Sequence, residues 1–235
     1  TTGIPMSDGR LGSFLNLMFF LTLIYGNTLF KSQKLKLFVL CIALLFIVLS
    51  QSRSTWLATC LGYSAYIVFC KRRYITGAVF GLIAVILSNL IFNLYTSFKG
   101  ESTYSQNVDV RFEMMAKIKE ISDSPLLGLS HQNVYFNIGD LEVVIHNYFV
   151  DLLLSYGLFS IIFIFNVYVF VLFKTIKNTA VYGANSLNSV ILTSFIAITT
   201  ELFFYRGFYN EIIIIVFALF VYLNGKKNIT LQRMG

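Results

Sequence analysis

Charged residues and prolines are scarce in this sequence, and both shortages restrict the class of protein. Charged residues make up 12% of the chain and hydrophobic residues 57%, a balance far from that of soluble globular domains. Two prolines leave few breaks in the long apolar runs. The three cysteines, Cys41, Cys60 and Cys70, all lie within apolar runs, so we expect no disulfide framework. A soluble domain and a disulfide-based scaffold are therefore excluded.

Several motifs of metalloproteins and soluble enzymes are also missing from the sequence. Fourteen residues separate the two histidines, His131 and His146, which have neither cysteine partners nor a helical i, i+4 spacing. No glycine-rich phosphate loop follows a strand, and no serine nucleophile elbow is present. We therefore predict a protein that uses neither a metal ion nor another cofactor.

What the sequence does contain is a series of apolar runs close to the length of about 20 residues that a helix needs to cross a bilayer. These runs predict seven transmembrane helices, at 11–30, 35–50, 55–70, 75–95, 147–173, 187–204 and 211–224. The fold class is thus an all-α polytopic bundle, with residues 1–235 as a single membrane domain. The chain begins at Thr1 in a polar stretch without a leader, so we expect it to be the C-terminal part of a longer polytopic protein.

The basic residues predict the orientation of this bundle. Alternate turns carry eleven lysines and arginines and no carboxylate, a charge of +11, whereas the opposite side sums to −4. An excess of lysine and arginine marks the cytoplasm. The polar segment 96–146, which holds seven of the eleven carboxylates, is therefore predicted to be one large extracytoplasmic loop. Because the positive charge is explained by topology, we do not predict a nucleic-acid partner.

An amphipathic helix is predicted inside this loop, from Asn107 or Asp109 to about Ser122. At about 100° per residue, Arg111 falls in the middle of the apolar face. One interpretation is that this arginine snorkels or pairs with a carboxylate, either Asp151 or Glu201. The other is that it lies in a wet cleft and binds an anion, for which a bidentate guanidinium is well suited.

The two histidines and a nearby carboxylate are further candidates. His146 opens a predicted membrane helix at the water interface, where it is either an interfacial aromatic residue or a general base. Asp151, one turn after Asn147, either orients a reacting group or faces the lipid headgroups. His131 lies in the loop, where a surface position is the simpler interpretation.

Two other arginines are predicted on the same external side. Arg53 lies in the short turn between the second and third helices, and this helical hairpin fixes its position. Arg206 lies between Glu201 and Glu211, so a local ion pair is its first interpretation and a functional role the second.

Four stretches of the chain together resemble the O-antigen ligase and polymerase superfamily. The first is the Ser-Arg turn at Ser52-Arg53-Ser54. The second is Arg111 with the later turn Pro125-Leu126-Leu127-Gly128, and the third is His146-Asn147 followed in its helix by Gly157-Leu158. A fourth, at Gly9-Arg10-Leu11-Gly12, is similar to an earlier family segment. The resemblance covers about residues 9–160.

The resemblance implies a bacterial glycosyltransferase of the cytoplasmic membrane whose donor is a polyprenyl-diphosphate-linked oligosaccharide. Carried over to this chain, Arg53 and Arg111 would bind the diphosphate and His146 would activate the acceptor hydroxyl, with Asn147 as a further substrate-binding candidate. The family pattern does not require His131, Asp151 or Arg206, which stay as candidates from the residues alone. The expected partners are the lipid-linked donor, the lipid bilayer and a regulator of chain length.

Four interpretations of the function follow, in order of preference. A polymerase joins the glycan to another lipid-linked repeat unit, and a ligase joins it to the lipid A core; the motifs do not separate the two. A transporter or flippase for a lipid-linked sugar would need ionisable residues or broken helices near the bilayer midplane. The candidates here lie on one predicted side instead. A scaffold protein would leave Arg111 on an apolar helix face unexplained.

Overall fold

The structure is a computed structural model that describes residues 9–49, 53–99, 128, 135–138, 141–144, 148–203 and 216–224. For some of these, including Arg53 and Asp151, it describes the backbone alone. The predicted amphipathic helix around Arg111 lies outside the described residues.

Helices make up most of the described chain. They are α1 (Gly9–Leu29), α2 (Gln33–Leu49), α3 (Arg53–Ala65), α4 (Tyr74–Lys99), α5 (Tyr148–Tyr182) and α6 (Leu187–Leu202). Helix α3 continues as one π-helical turn, Tyr66–Cys70, and residues 216–224 form a further helix, α7. The helical class is confirmed and the seven predicted helices fit the described ones. Most boundaries differ by a few residues, but α5 ends nine residues after the predicted end at 173.

Two of these helices are long and apolar enough to cross a membrane, over Gly12–Leu29 and Leu152–Tyr182. The apolar helices over Ser54–Cys70, Tyr74–Leu87 and Leu187–Leu202 are shorter. The count of seven membrane crossings and the extracytoplasmic loop therefore stay predictions.

The described chain divides into two compact units. Unit 1 comprises residues 1–85, 170–201 and 209–235, and unit 2 comprises residues 86–169 and 202–208. The earlier assignment of one membrane domain over residues 1–235 is not tested by this division and stays a prediction.

Helix α6 is the core of unit 1. Its side chains are buried around most of the helix, and Ile191, Leu192 and Ile198 are at most 1% exposed. Small polar residues are interspersed with these apolar ones, and the hydroxyls of Thr193 and Thr199 donate to carbonyls of their own helix at 2.9 and 2.7 Å.

The outer helices of unit 1 have the opposite pattern. Helix α2 exposes a series of large apolar side chains, including Leu37, Phe38, Leu45 and Val48. Apolar side chains that face outward over a whole helix are typical of a surface in contact with lipid. Lys36 Nζ in the first turn of α2 donates to Asn27 Oδ1 near the end of α1 at 2.8 Å, which ties these two helix ends together.

Helix α5 is broken at Gly157, where the backbone takes φ 77° and ψ −177°. The chain folds back at this point, because the ring of Phe149 lies 6.1 Å from that of Tyr168, nineteen residues further on. The hydroxyl of Ser160 lies 2.7 Å from the Gly157 carbonyl oxygen and 3.2 Å from that of Leu152. It thereby supplies a donor where the helical ladder is interrupted. The predicted continuous span 147–173 is thus two segments, and the longer one, 158–182, is still able to cross a bilayer.

Gly128 packs directly on this break. It has a positive φ of 70°, and a Cβ placed on it would lie 2.5 Å from the Gly157 nitrogen and 2.7 Å from that of Tyr156. The backbone of Gly128 therefore contacts the backbone of Tyr156 and Gly157 directly. A backbone atom cannot move aside as a flexible side chain would.

A short β-hairpin was not predicted. Strands β1 (Tyr135–Ile138) and β2 (Leu141–Val144) pair antiparallel, with Ile138 opposite Leu141. The connecting residues are Gly139 and Asp140, and a two-residue Gly-Asp connection is a known hairpin signal. The all-α prediction therefore holds for the bundle and needs this hairpin added within segment 96–146.

Replacing Gly128 by alanine should destabilise the protein more than the same change at Gly183. Both residues have positive φ, 70° and 85°, but a Cβ on Gly183 would meet nothing within 4 Å. Gly183→Ala should thus carry only the conformational cost, about 1 kcal/mol, whereas Gly128→Ala adds a backbone clash for a total of about 3 kcal/mol. Thermal unfolding in detergent, followed by circular dichroism, compares the two. Equal losses for both variants would contradict the close contact.

Candidate functional site

A cluster of buried polar side chains joins three helices of unit 1. It consists of Ser13 and Asn16 on α1, Thr55 and Thr59 on α3 and Glu201 on α6, and is called here the glutamate cluster. Glu201 is 2% exposed and Thr55 is 1% exposed. Helices α1 and α3 contribute residues near their beginnings and α6 a residue of its last turn, so these ends lie together at one end of unit 1.

Glu201 is the acceptor at the centre of this cluster. Ser13 Oγ donates to Glu201 Oε2, and Asn16 Nδ2 donates to Oε1 at 3.3 Å. The Thr55 hydroxyl also hydrogen-bonds to the carboxyl group. One turn further along α3, Thr59 Oγ1 lies 2.6 Å from Asn16 Oδ1. Both carboxyl oxygens thus have partners from other helices, as a buried polar group requires.

The packing around Glu201 depends on a glycine. A Cβ on Gly12 would collide with Thr55 Oγ1 and would lie 2.5 Å from Glu201 Oε1. Gly12 therefore lets α1 approach α3 and α6 closely enough for the hydrogen bonds to form, as small residues do between membrane helices.

The opposite end of unit 1 is polar as well. The hydroxyl of Tyr66 donates to Asn185 Oδ1 at 3.3 Å, and an Arg72 guanidinium nitrogen lies 3.5 Å from the Ala180 carbonyl oxygen. Asn178 Nδ2 bridges Asn188 and Asn224 at 3.4 and 3.2 Å. Arg72 and the glutamate cluster thus lie at opposite ends of unit 1, as expected when successive turns of a helical bundle alternate between its two ends.

Among the predicted site residues that the structure describes, Arg53 has its backbone beside the cluster. It is the first residue of α3, two residues before Thr55. Asp151 lies in the first segment of α5. For both, the side chain is outside what the structure describes.

The remaining predicted site residues lie outside the described residues altogether. They are Arg111, His131, His146, Asn147 and Arg206. The convergence of Arg53, Arg111 and His146 in one pocket therefore stays a prediction.

The contact between Gly128 and Gly157 does bring together two of the motifs that carry the family resemblance. Gly128 ends the Pro125-Leu126-Leu127-Gly128 turn, and Gly157 opens the Gly-Leu pair after the His-Asn motif. Their backbones are in contact within unit 2, so the described glycines of these two motifs are neighbours in the fold.

Glu201 is the residue that sequence reasoning undervalued, since it entered only as a possible ion-pair partner of an arginine. A carboxylate near the end of an apolar run was the available signal, because ionisable residues within membrane helices lean towards function. Among the side chains that the structure describes, no three histidine, cysteine, aspartate or glutamate residues lie close enough together to hold a metal ion.

Alanine at Gly12 should disrupt the glutamate cluster, whereas alanine at Gly26 of the same helix should not. A Cβ on Gly26 meets only the flexible Lys36 side chain, at 3.1 Å or more, and alanine raises helix propensity by about 0.5–1 kcal/mol. We expect Gly26→Ala to be neutral or stabilising and Gly12→Ala to lower the unfolding temperature. Trp56, the one tryptophan of the sequence, directly follows Thr55, so its fluorescence reports a disruption of the cluster. A stable Gly12→Ala protein with unchanged fluorescence would refute the packing.

Comparison with known protein families gives a match. A family model described as O-Antigen ligase matches residues 37–165, which is more than half of the 235 residues. No curated protein and no solved structure matches the chain. The family match supports a function of the O-antigen polymerase or ligase type and a place in the inner membrane. The resemblance identified from the sequence is thereby confirmed, and the chain belongs to the O-antigen ligase family.

Proposed function

We propose that the protein is a glycosyltransferase that polymerises oligosaccharide repeat units carried on polyprenyl diphosphate, at the external face of the cytoplasmic membrane. The observation that carries this proposal is the family match over residues 37–165. That range contains Arg53, Arg111 and His146, the three residues with the required chemistry.

In the proposed reaction the acceptor hydroxyl attacks the anomeric carbon of the donor glycan. The bond from that carbon to the diphosphate oxygen breaks, and the leaving group is polyprenyl diphosphate. His146 takes the proton of the attacking hydroxyl. Arg53 and Arg111 bind the diphosphate and stabilise the negative charge that grows on it, without a metal ion.

The fold gives indirect support for the role of Arg53. Its backbone begins a helix whose next turn is held by buried hydrogen bonds of the glutamate cluster. A guanidinium that must meet a developing charge benefits from such a rigid support. Asn147, His131, Asp151 and Arg206 are further proposed contacts to the substrate, and a chain-length regulator is a proposed partner.

A ligase that transfers the glycan to the lipid A core is the second candidate, favoured by the description of the matched family. The proposed donor, diphosphate site and base are the same for both reactions. Supplying the same purified donor with either a second donor molecule or a lipid A core separates them. Elongated lipid-linked glycan supports the polymerase, and glycan on the core supports the ligase.

Alanine at Arg53, Arg111 or His146 should nearly abolish transfer in the full-length protein. We expect losses of about 10²–10³ for each arginine and about 10²–10⁴ for the histidine. The assay follows glycan length by gel electrophoresis, using purified protein in detergent and a lipid-linked oligosaccharide donor. Arg73→Ala, in an exposed turn at the other end of α3, is the matched control and should keep full activity.

Wild-type product lengths from all three variants would overturn the proposed site. A protein that forms no product in detergent, yet moves the donor across vesicle membranes, would instead be a transporter.

A further inference from the structure

Glu201 has no part in the proposed reaction, yet it is buried at the junction of three helices. It accepts hydrogen bonds from Ser13 and Asn16 on α1 and interacts with Thr55 on α3. Burying a carboxyl group carries a desolvation cost that neutral polar side chains would largely avoid. Its presence within a membrane helix therefore points to a functional role.

The cluster fixes the beginning of α3 in two ways. Thr55 is bonded to Glu201, and Thr59, four residues later on the same face, lies 2.6 Å from Asn16 Oδ1. Because these contacts are one helical turn apart, sliding α3 along α1 or rotating it about its own axis would disturb both. The Thr59 hydroxyl would then keep only the Thr55 carbonyl of its own helix, at 2.7 Å, as a partner. Buried hydrogen bonds are costly to leave unmade.

Arg53 lies two residues before Thr55, a rise of about 3 Å along the helix axis. A displacement of Thr55 therefore displaces the Arg53 backbone by a similar amount. An error of about 1 Å in the placement of a catalytic group can cost about 10²-fold in rate.

We infer that Glu201 is a positioning residue that, through Thr55, holds the amino end of α3 so that Arg53 meets the donor diphosphate. The inference rests on the proposed function, because Arg53 has its role only there. Glu201 itself does not contact the substrate.

Thr55 is the better place for the test, because removing the central carboxyl group could prevent folding. Thr55→Val deletes the hydroxyl and keeps the shape, and Thr55→Ser restores the hydroxyl. Thr193→Val is the matched control, since Thr193 is fully buried on α6 and donates to the Ser189 carbonyl of its own helix at 2.9 Å. Glu201→Gln, which keeps one acceptor oxygen, is the second variant.

The measurement is the rate of glycan transfer at saturating donor, together with KM for the donor, using purified full-length protein and a radiolabelled polyprenyl-diphosphate-linked oligosaccharide. We expect Thr55→Val to lose about 10–100-fold in rate, with a smaller loss for Glu201→Gln. Thr55→Ser and Thr193→Val should stay within about threefold of wild type, at similar unfolding temperatures.

A double variant shows whether Thr55 acts through Arg53. In an Arg53→Ala background, Thr55→Val should cause no further loss, because the group that it positions is already absent. The same loss in both backgrounds, or a wild-type rate for Thr55→Val, would overturn the positioning role while leaving the proposed function intact. A wild-type rate for Arg53→Ala would contradict the proposed function itself, and the positioning role with it.

Discussion

The hydrogen bonds that end on the Glu201 carboxyl group hold α1, α3 and α6 in their relative positions. Between helices in lipid the hydrophobic effect gives little preference for one arrangement over another, because lipid tails are as apolar as the side chains. Directional bonds and close backbone packing must then select the arrangement. In unit 1, Ser13, Asn16 and Thr55 supply the bonds, and Gly12 provides the space for them.

Unit 2 is likewise held by close backbone packing at a glycine. Gly157 breaks α5 in a conformation that favours glycine, and Gly128 rests on that break without a side chain between the two backbones. The ring of Phe149 then packs against Tyr168 and against Phe203, at 6.1 and 4.6 Å. A reversal inside an apolar helix is thereby stabilised by contacts on both sides of the break, as non-helical backbone in a membrane protein requires.

The sequence predicted the helices well and the tertiary contacts poorly, for a physical reason. Helix positions follow from the lengths of apolar runs, which are local, so the predicted run 187–204 lies close to α6 at Leu187–Leu202. The role of Glu201 depends on a hydrogen bond from Ser13, 188 positions away in the chain. A pattern of neighbouring residues cannot predict a contact between positions so far apart. The break at Gly157 was missed because glycine is common in unbroken membrane helices. The hairpin was missed although its Gly139-Asp140 connection was visible, because four-residue strands carry little periodic signal.

The positions of the rigid contacts along the chain suit the chemistry of the proposed lipid diphosphate donor. An arginine side chain is long and loses much conformational freedom when it binds, so its usefulness depends on a backbone that does not move. Thr55 provides such a point two residues after Arg53. Gly157 does so eleven residues after His146, where the backbone of Gly128 meets it. A donor with a flexible lipid tail brings little order of its own to the reaction. For the proposed donor, the protein must therefore supply that order in advance, and buried hydrogen bonds and glycine contacts are one way to do so.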